Sequence, residues 1–216
     1  ASWNSKLEGE CFIAIAEESD LIEDLGRWIL FRACREMLDF VLAKSTGDNF
    51  HLAVNVSARQ FHSTDFVAIV EAVLAETGFP ATALELEITE STLQVTERSL
   101  HILKALETLG VAISIDDFGT GYSSLSVLRD LPIKRIKIDR SFIVNLPASE
   151  NQRVVVEAII ALSRAMHMAI TVEGIERQEQ ADLLQQMGCE EGQGFLFAQP
   201  LPFDELISLI GPLASH

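Results

Sequence analysis

The chain has 216 residues and carries 32 acidic against 16 basic side chains, a formal charge of −16, which argues against a general nucleic-acid-binding surface and against DNA as a partner. Its length suits one large α/β domain with a substantial core, and with only 6 Pro, 12 Gly and no low-complexity run, residues 1–216 are read as a single domain. Cys11, Cys34 and Cys189 are an odd set without paired spacing, which argues against a disulfide framework or zinc site and favours core thiols in a reducing, cytoplasmic compartment.

No 18-residue apolar stretch or basic-then-apolar leader is present, so no membrane segment or export signal is expected in this piece. The start at Ala1 without Met reads as part of a longer protein. Residues 1–11 lack periodicity and are expected to form a loop. From Ser19 onward, Leu21, Ile22, Leu25, Trp28, Ile29, Phe31 and Leu38 recur at helical spacing, which predicts a long amphipathic helix to about Ala43, ended by Gly47. His51–Val56 reads as a short strand running into Asn55 and Ser57, and Phe61–Glu76 as a helix stopped by Gly78 and Pro80.

The unit then repeats. Leu84–Ile88 is a predicted strand with Leu84, Leu86 and Ile88 on one face and Glu85 and Glu87 on the other; a helix over about Thr92–Leu109 follows. Val111–Ile115, the next strand, ends in Asp116 and Asp117 before a loop carrying Gly119 and Gly121 and a short helix near Ser123–Arg129. Arg135–Ile138 places Ile136 and Ile138 on one face and Arg135, Lys137 and Asp139 on the other. A helix over Val154–Met166, a strand at Ala169–Val172 running into Glu173 to Glu176, and a helix over Gln178–Met187 come next. Gly194–Phe197 is read as the last strand, closed by Pro200 and Pro202, with a terminal helix near Asp204–Ile210.

Six strands alternating with helices point to a parallel sheet, and the expected fold is a TIM-like (β/α)8 barrel with its first one or two strands missing from the front. The rival, an open doubly wound sheet, calls for a Gly-rich phosphate turn after the first strand, which is not found.

In a barrel the active site lies at the carboxyl ends of the strands. Each strand brings a polar group there: Asn55, Glu87, Asp116 with Asp117, Lys137, Glu173, and Gln193 just ahead of the last. Burying an unpaired charge in a strand costs several kcal/mol or shifts its pKa until it neutralises, so charges recurring in phase signal a site. Crowded carboxylates repel, and a divalent cation is the simplest relief. The chemistry expected is metal-assisted hydrolysis, with Asn55, Glu87 and Asp116 as oxygen ligands and Asp117 on a second ion. Lys137 and Glu173 are left to orient or deprotonate a water, and a phosphodiester is the best-fitting substrate. A solvated Asp-Asp turn is the plainer alternative. Phe195 and Phe197 are expected to pack between strand and helices. Glu90 is either a helix-capping carboxylate or an anchor for the Gly119/Gly121 loop, and Glu176 either supports the site or is a first-turn acid. A carbohydrate hydrolase using Glu87 and Glu173 is the alternative the barrel alone suggests, but it leaves Asp116, Asp117 and Lys137 unused.

Phe12-Ile13 with Ala16 to Ser19, Asn55-Val56-Ser57, Glu87 to Glu90, Asp116 to Leu125, Lys137-Ile138-Asp139, Glu173 to Glu176, and Gln193-Gly194 with Pro200 together resemble the EAL family of bacterial cyclic di-GMP phosphodiesterases, in order along the chain. The resemblance implies a TIM-like barrel whose first strand runs antiparallel, and a Mg²⁺- or Mn²⁺-dependent, two-ion opening of cyclic di-GMP to the linear dinucleotide. By position it implies Asn55, Glu87, Asp116 and Asp117 as metal ligands, and Lys137 and Glu173 at the catalytic water. Glu176 would support the metal site, and Glu90, with Gly119 and Gly121, the loop. Gln193 would contact a guanine, with Pro200 on the same substrate-binding edge. It also implies a homodimer contact near the region after the Asp116–Ser124 loop, and regulatory domains upstream. The Glu-Ala-Leu triplet that names the family supplies a further ligand and would end immediately before Ala1. Ser2 stands where an Arg that touches substrate phosphate is usual, and Gly9 and Ala14 stand where prolines are usual. If the parent protein lacks that Glu, the module is instead a silent receptor for the dinucleotide or a partner-binding barrel.

Overall fold

The computed structural model describes residues 9–19, 21–43, 50–93, 96–121 and 128–210. Two helices, α1 (Gly9–Glu18) and α2 (Ile22–Ala43), lead into β1 (Leu52–Asn55), α3 (Ala58–Phe61), α4 (Phe66–Thr77), β2 (Leu84–Thr89), α5 (Glu97–Leu109) and β3 (Ala112–Phe118). Then follow β4 (Arg135–Ile138), α6 (Glu150–Ala165), β5 (Ala169–Val172), α7 (Gln178–Gln186), β6 (Glu191–Gly192) and α8 (Phe203–Ile210).

All neighbouring strands pair in parallel in the order β1-β2-β3-β4-β5-β6, one βα unit after another. The sheet curls: Ala53 of β1 and Glu191 and Gly192 of β6, at opposite edges, line the same cavity of about 720 Å³. The architecture is the TIM-like barrel expected, with six strands among the described residues against the eight of the full fold.

Alternation does the sorting. Leu84, Leu86, Ile88, Ile113, Ile115, Ile136, Ile138 and Val172 are buried in one cluster with the helices, while the residues between them face the barrel interior. The helix ends are set locally. Thr96 caps α5 by accepting from the Ser99 backbone N–H, and the helix ends at Gly110 in the left-handed conformation, φ 90°.

Four expectations are corrected. Residues 9–11 open α1 instead of ending a loop. The helix expected from Phe61 to Glu76 is two helices, because Ser57 and Gln60 form a capping box that starts α3 early, and the chain turns again before Asp65. Helix α5 starts at Glu97 and not near Thr92, since its cap is Thr96. The last strand is Glu191–Gly192; Gly194–Phe197 is a turn, and a Cβ at position 194 would lie 2.1 Å from the Ile175 carbonyl oxygen, an approach that only glycine permits. The expected helix near Ser123–Arg129 and the Gly47 stop lie largely outside the described residues.

Candidate metal and substrate site

Register places the polar residues at one end of the sheet. Asn55 pairs with Glu87 across β1 and β2, and Lys137 pairs with Thr171 across β4 and β5. Glu173 follows β5 directly, its N–H donating to the Ile138 carbonyl at 3.0 Å. Lys137 is the hub. Its Nζ lies 2.8 Å from Glu87 Oε2, 2.6 Å from Glu173 Oε1 and 3.3 Å from Asp116 Oδ1, with the ammonium and Glu87 both buried.

Adjacent strand residues ordinarily face opposite ways. Asp116 and Asp117 escape this because β3 does not end at Ile115: it continues to Phe118 with a register shift against β4 between Ile115 and Phe118. Asp117 also takes a left-handed φ of 53°. A bulge thus does what a strand end was expected to do, at a conformational cost of roughly 1–2 kcal/mol for a residue with a Cβ. Carboxylate oxygens of Asp116, Asp117 and Glu173 come within 4.8 Å of one another.

The electrostatics follow from crowding. Burial raises the Glu87 and Glu173 carboxyl pKa values above the ordinary range; Lys137 pulls each back, and neighbouring carboxylates add to the rise. Asp117 is raised by burial, then by Asp116 and Asp139. Burial works against the Lys137 ammonium, yet Glu87, Glu173 and Asp116 outweigh it and hold its pKa above the usual lysine value. The set is hard oxygen donors around one short cation, with more negative charge than that cation can balance. This is the donor chemistry that Mg²⁺ and Mn²⁺ prefer.

Behind the acidic pair, the buried Glu90 accepts backbone N–H bonds from Gly119 at 2.9 Å and Gly121 at 3.1 Å through one oxygen. A Cβ at Gly119 would meet the Phe142 ring at 2.9 Å, and one at Gly121 would meet Glu90 Cδ at 2.9 Å. These glycines let the loop close on the carboxylate. Gln193 follows β6, its N–H donating to the Val172 carbonyl at 2.8 Å, and it lines the cavity with Glu87 and Lys137. Pro200 is exposed and is not among the residues that line this cavity. Glu176 pairs with Arg140 at 2.7 Å in a half-exposed bridge, and neither residue is among those lining the cavity with Lys137. Phe195 and Phe197 do not pack between strand and helices: each is 59% exposed, because their segment is a turn, and Phe197 lines the cavity.

A second polar layer was not singled out from the sequence. Arg135, one alternation step before Lys137, donates from Nε to Glu85 at 3.1 Å and from Nη1 to Thr171 at 2.9 Å, and its Nη1 also pairs with Glu191. The phase shared by Glu85 with Glu87 and by Arg135 with Lys137 was the available signal.

A curled parallel sheet with helices outside and a carboxylate-rich rim at the strand ends defines a TIM-type barrel with metal-competent chemistry. Residues 1–200 match the EAL domain family, and the chain belongs to it. Cyclic di-GMP phosphodiesterase NbdA of Pseudomonas aeruginosa is 41% identical over 196 residues, which is 90% of this chain and 25% of that protein. The bifunctional diguanylate cyclase/cyclic di-GMP phosphodiesterase MucR of the same organism is 40% identical over 200 residues, 92% of this chain and 29% of MucR. A solved structure of the MucR phosphodiesterase in complex with cyclic di-GMP superposes with a TM-score of 0.89 at 38% identity, covering 96% of this chain and 83% of that one. The chain thus spans between a quarter and a third of these two curated relatives. Among the described residues, no helix is long and apolar enough to cross a membrane.

Proposed function

We propose that the chain is the phosphodiesterase module of a larger signalling protein and hydrolyses cyclic di-GMP to the linear dinucleotide with divalent metal ions. The observation that supports this most is the Lys137 hub, where one ammonium faces Glu87, Asp116 and Glu173 at the end of a parallel barrel, beside Asp117.

Asp116 and Asp117, with Glu87 and with Asn55 paired to Glu87 on β1, would hold the ions, two by the family's pattern. Bound there, they supply Lewis-acid stabilisation of the charge that builds on the phosphoryl oxygens. The protein's own groups do the rest. Lys137, kept protonated by its carboxylate neighbours, is a fixed positive charge and hydrogen-bond donor that orients the attacking water. Glu173, with its pKa raised by burial, is the better base and accepts the water's proton. Gln193 offers an amide to a guanine edge, and the exposed Phe197 ring beside it gives a face on which a base can stack. Pro200 and Glu176 serve the same rim from outside the cavity. A homodimer through the region after the Asp116–Ser124 loop, regulatory domains upstream and a cytoplasmic location belong to this reading.

The test is to incubate the full-length protein with cyclic di-GMP and Mn²⁺ and separate the nucleotides. Linear product that disappears with chelator is expected. Tight binding without product, unaffected by Lys137→Ala, would make the chain a receptor, and neither binding nor turnover would end the nucleotide assignment.

A further inference from the structure

Strand β6 is two residues long and, among the described residues, pairs on one side only, through Thr171↔Glu191 and Val172↔Gly192. So short a strand is poorly held by its ladder, yet it carries the chain into Gln193. What compensates lies inside the barrel. The Arg135 guanidinium, its side chain 10% exposed, is held by the buried Glu85 carboxylate on β2 and reaches Thr171 on β5 and Glu191 on β6. Thr171 Oγ1 in turn donates to the Glu191 carboxylate at 3.3 Å. One planar fork therefore ties β2, β4, β5 and β6 together beneath the Lys137 layer, with donors in fixed directions that a lysine cannot reproduce.

Burying a guanidinium and a carboxylate is costly, and a well-packed apolar pair of the same volume would commonly be as stable. The far carboxylate, Glu191, sits two residues before Gln193, whose N–H donates to the Val172 carbonyl and whose carbonyl accepts from the Ile175 N–H.

We infer that Arg135 is a positioning residue for substrate binding: through Glu191 it fixes β6, and so sets Gln193 against the cavity that Glu87 and Lys137 line. The inference rests on the reading of Gln193 as a substrate contact. It assigns Arg135 to binding and Lys137 to chemistry, although the two are alternate residues of one strand.

The experiment compares the full-length protein with Arg135→Met, Arg135→Lys and Glu191→Gln. Arg135→Met is expected to raise KM for cyclic di-GMP about tenfold while kcat stays within about twofold, with Arg135→Lys recovering part of the loss. If Arg135→Met does not fold, Glu191→Gln decides, since it keeps the volume and removes only the charge; it is expected to raise KM several-fold with an unchanged kcat. Hydrogen exchange at the Gln193 amide is measured in the same variants and needs no turnover. Faster exchange there, with the β4 amides unchanged, is expected. If the wild type shows no turnover but the Gln193 amide still loosens, the positioning stands and the phosphodiesterase reading falls. Unchanged KM with unchanged exchange, or a kcat loss at constant KM, would overturn the inference.

Discussion

The barrel interior holds two polar layers that differ in how their charge is balanced. In the lower, Arg135 faces two carboxylates, Glu85 and Glu191, and its fork is bonded on both sides, with Glu191 half exposed to water. In the upper, Lys137 faces Glu87, Asp116 and Glu173, and Asp117 stands beside them. The lower layer is close to satisfied by its own residues. The upper one carries a surplus of carboxylates that burial makes expensive, a surplus that divalent cations would relieve. A strut and a metal-competent centre are thus built two residues apart from the same alternation, and their charge ratio separates them.

That contrast predicts unequal responses to matched changes. The largest belongs to Lys137→Met, which should cut formation of linear dinucleotide by roughly 10²–10⁴-fold, the usual scale for a positioned proton-transfer or orienting group. Arg135→Met should leave kcat nearly intact. Next, Glu90→Gln removes the charge that accepts the Gly119 and Gly121 amides behind Asp116 and Asp117. Calorimetric Mn²⁺ titration should show affinity weakened by about 10–100-fold, as for other groups that orient metal ligands.

A third effect separates the layers by pH. Glu87, Glu173 and Asp117 have folded pKa values above the ordinary carboxylate range. The metal-free fold therefore keeps protons that the unfolded chain has released. Their contribution to stability is full below about pH 4 and is lost as pH rises through the folded values. Lys137, raised above the usual lysine value, stays charged across this window and adds no slope. Mn²⁺ should raise the melting temperature more at pH 8 than at pH 5; at a hundredfold excess over Kd the gain is about 2.7 kcal/mol, or roughly 5–10 °C for a chain of this size. The smallest change is Gly119→Ala, where φ is 99° and the new Cβ would sit 2.9 Å from the Phe142 ring. A loss of about 1–2 kcal/mol in chemical denaturation is expected.

Much of this was legible in the sequence because alternation is strict in a parallel strand. Glu87 and Lys137, each two residues from another charge and flanked by aliphatics, had to face the interior together. The same rule applied to Glu85 and Arg135, but alternation alone does not say which in-phase charge sits at the rim and which sits a layer below. Glu191 was hidden for a different reason: β6 has two residues, too few for a periodic signal, and the aromatic Phe195 and Phe197 drew the strand to the wrong place. The bulge at Asp117 left no mark in composition, since a left-handed Asp looks like any other Asp. Helix α1 was missed because Phe12 to Ala16 are apolar without a break, so no polar face marks out a helical stripe.

The upper layer is expected to take up divalent cations through Asp116 and Asp117. Electron paramagnetic resonance of free Mn²⁺ titrated with the chain tests it without substrate, against an Asp116→Asn/Asp117→Asn double variant that retains the Arg135 layer. The free Mn²⁺ signal should fall with the wild type and persist with the double variant, both proteins melting as folded chains. Equal Mn²⁺ uptake by the two, or none by the wild type at millimolar metal, would contradict it.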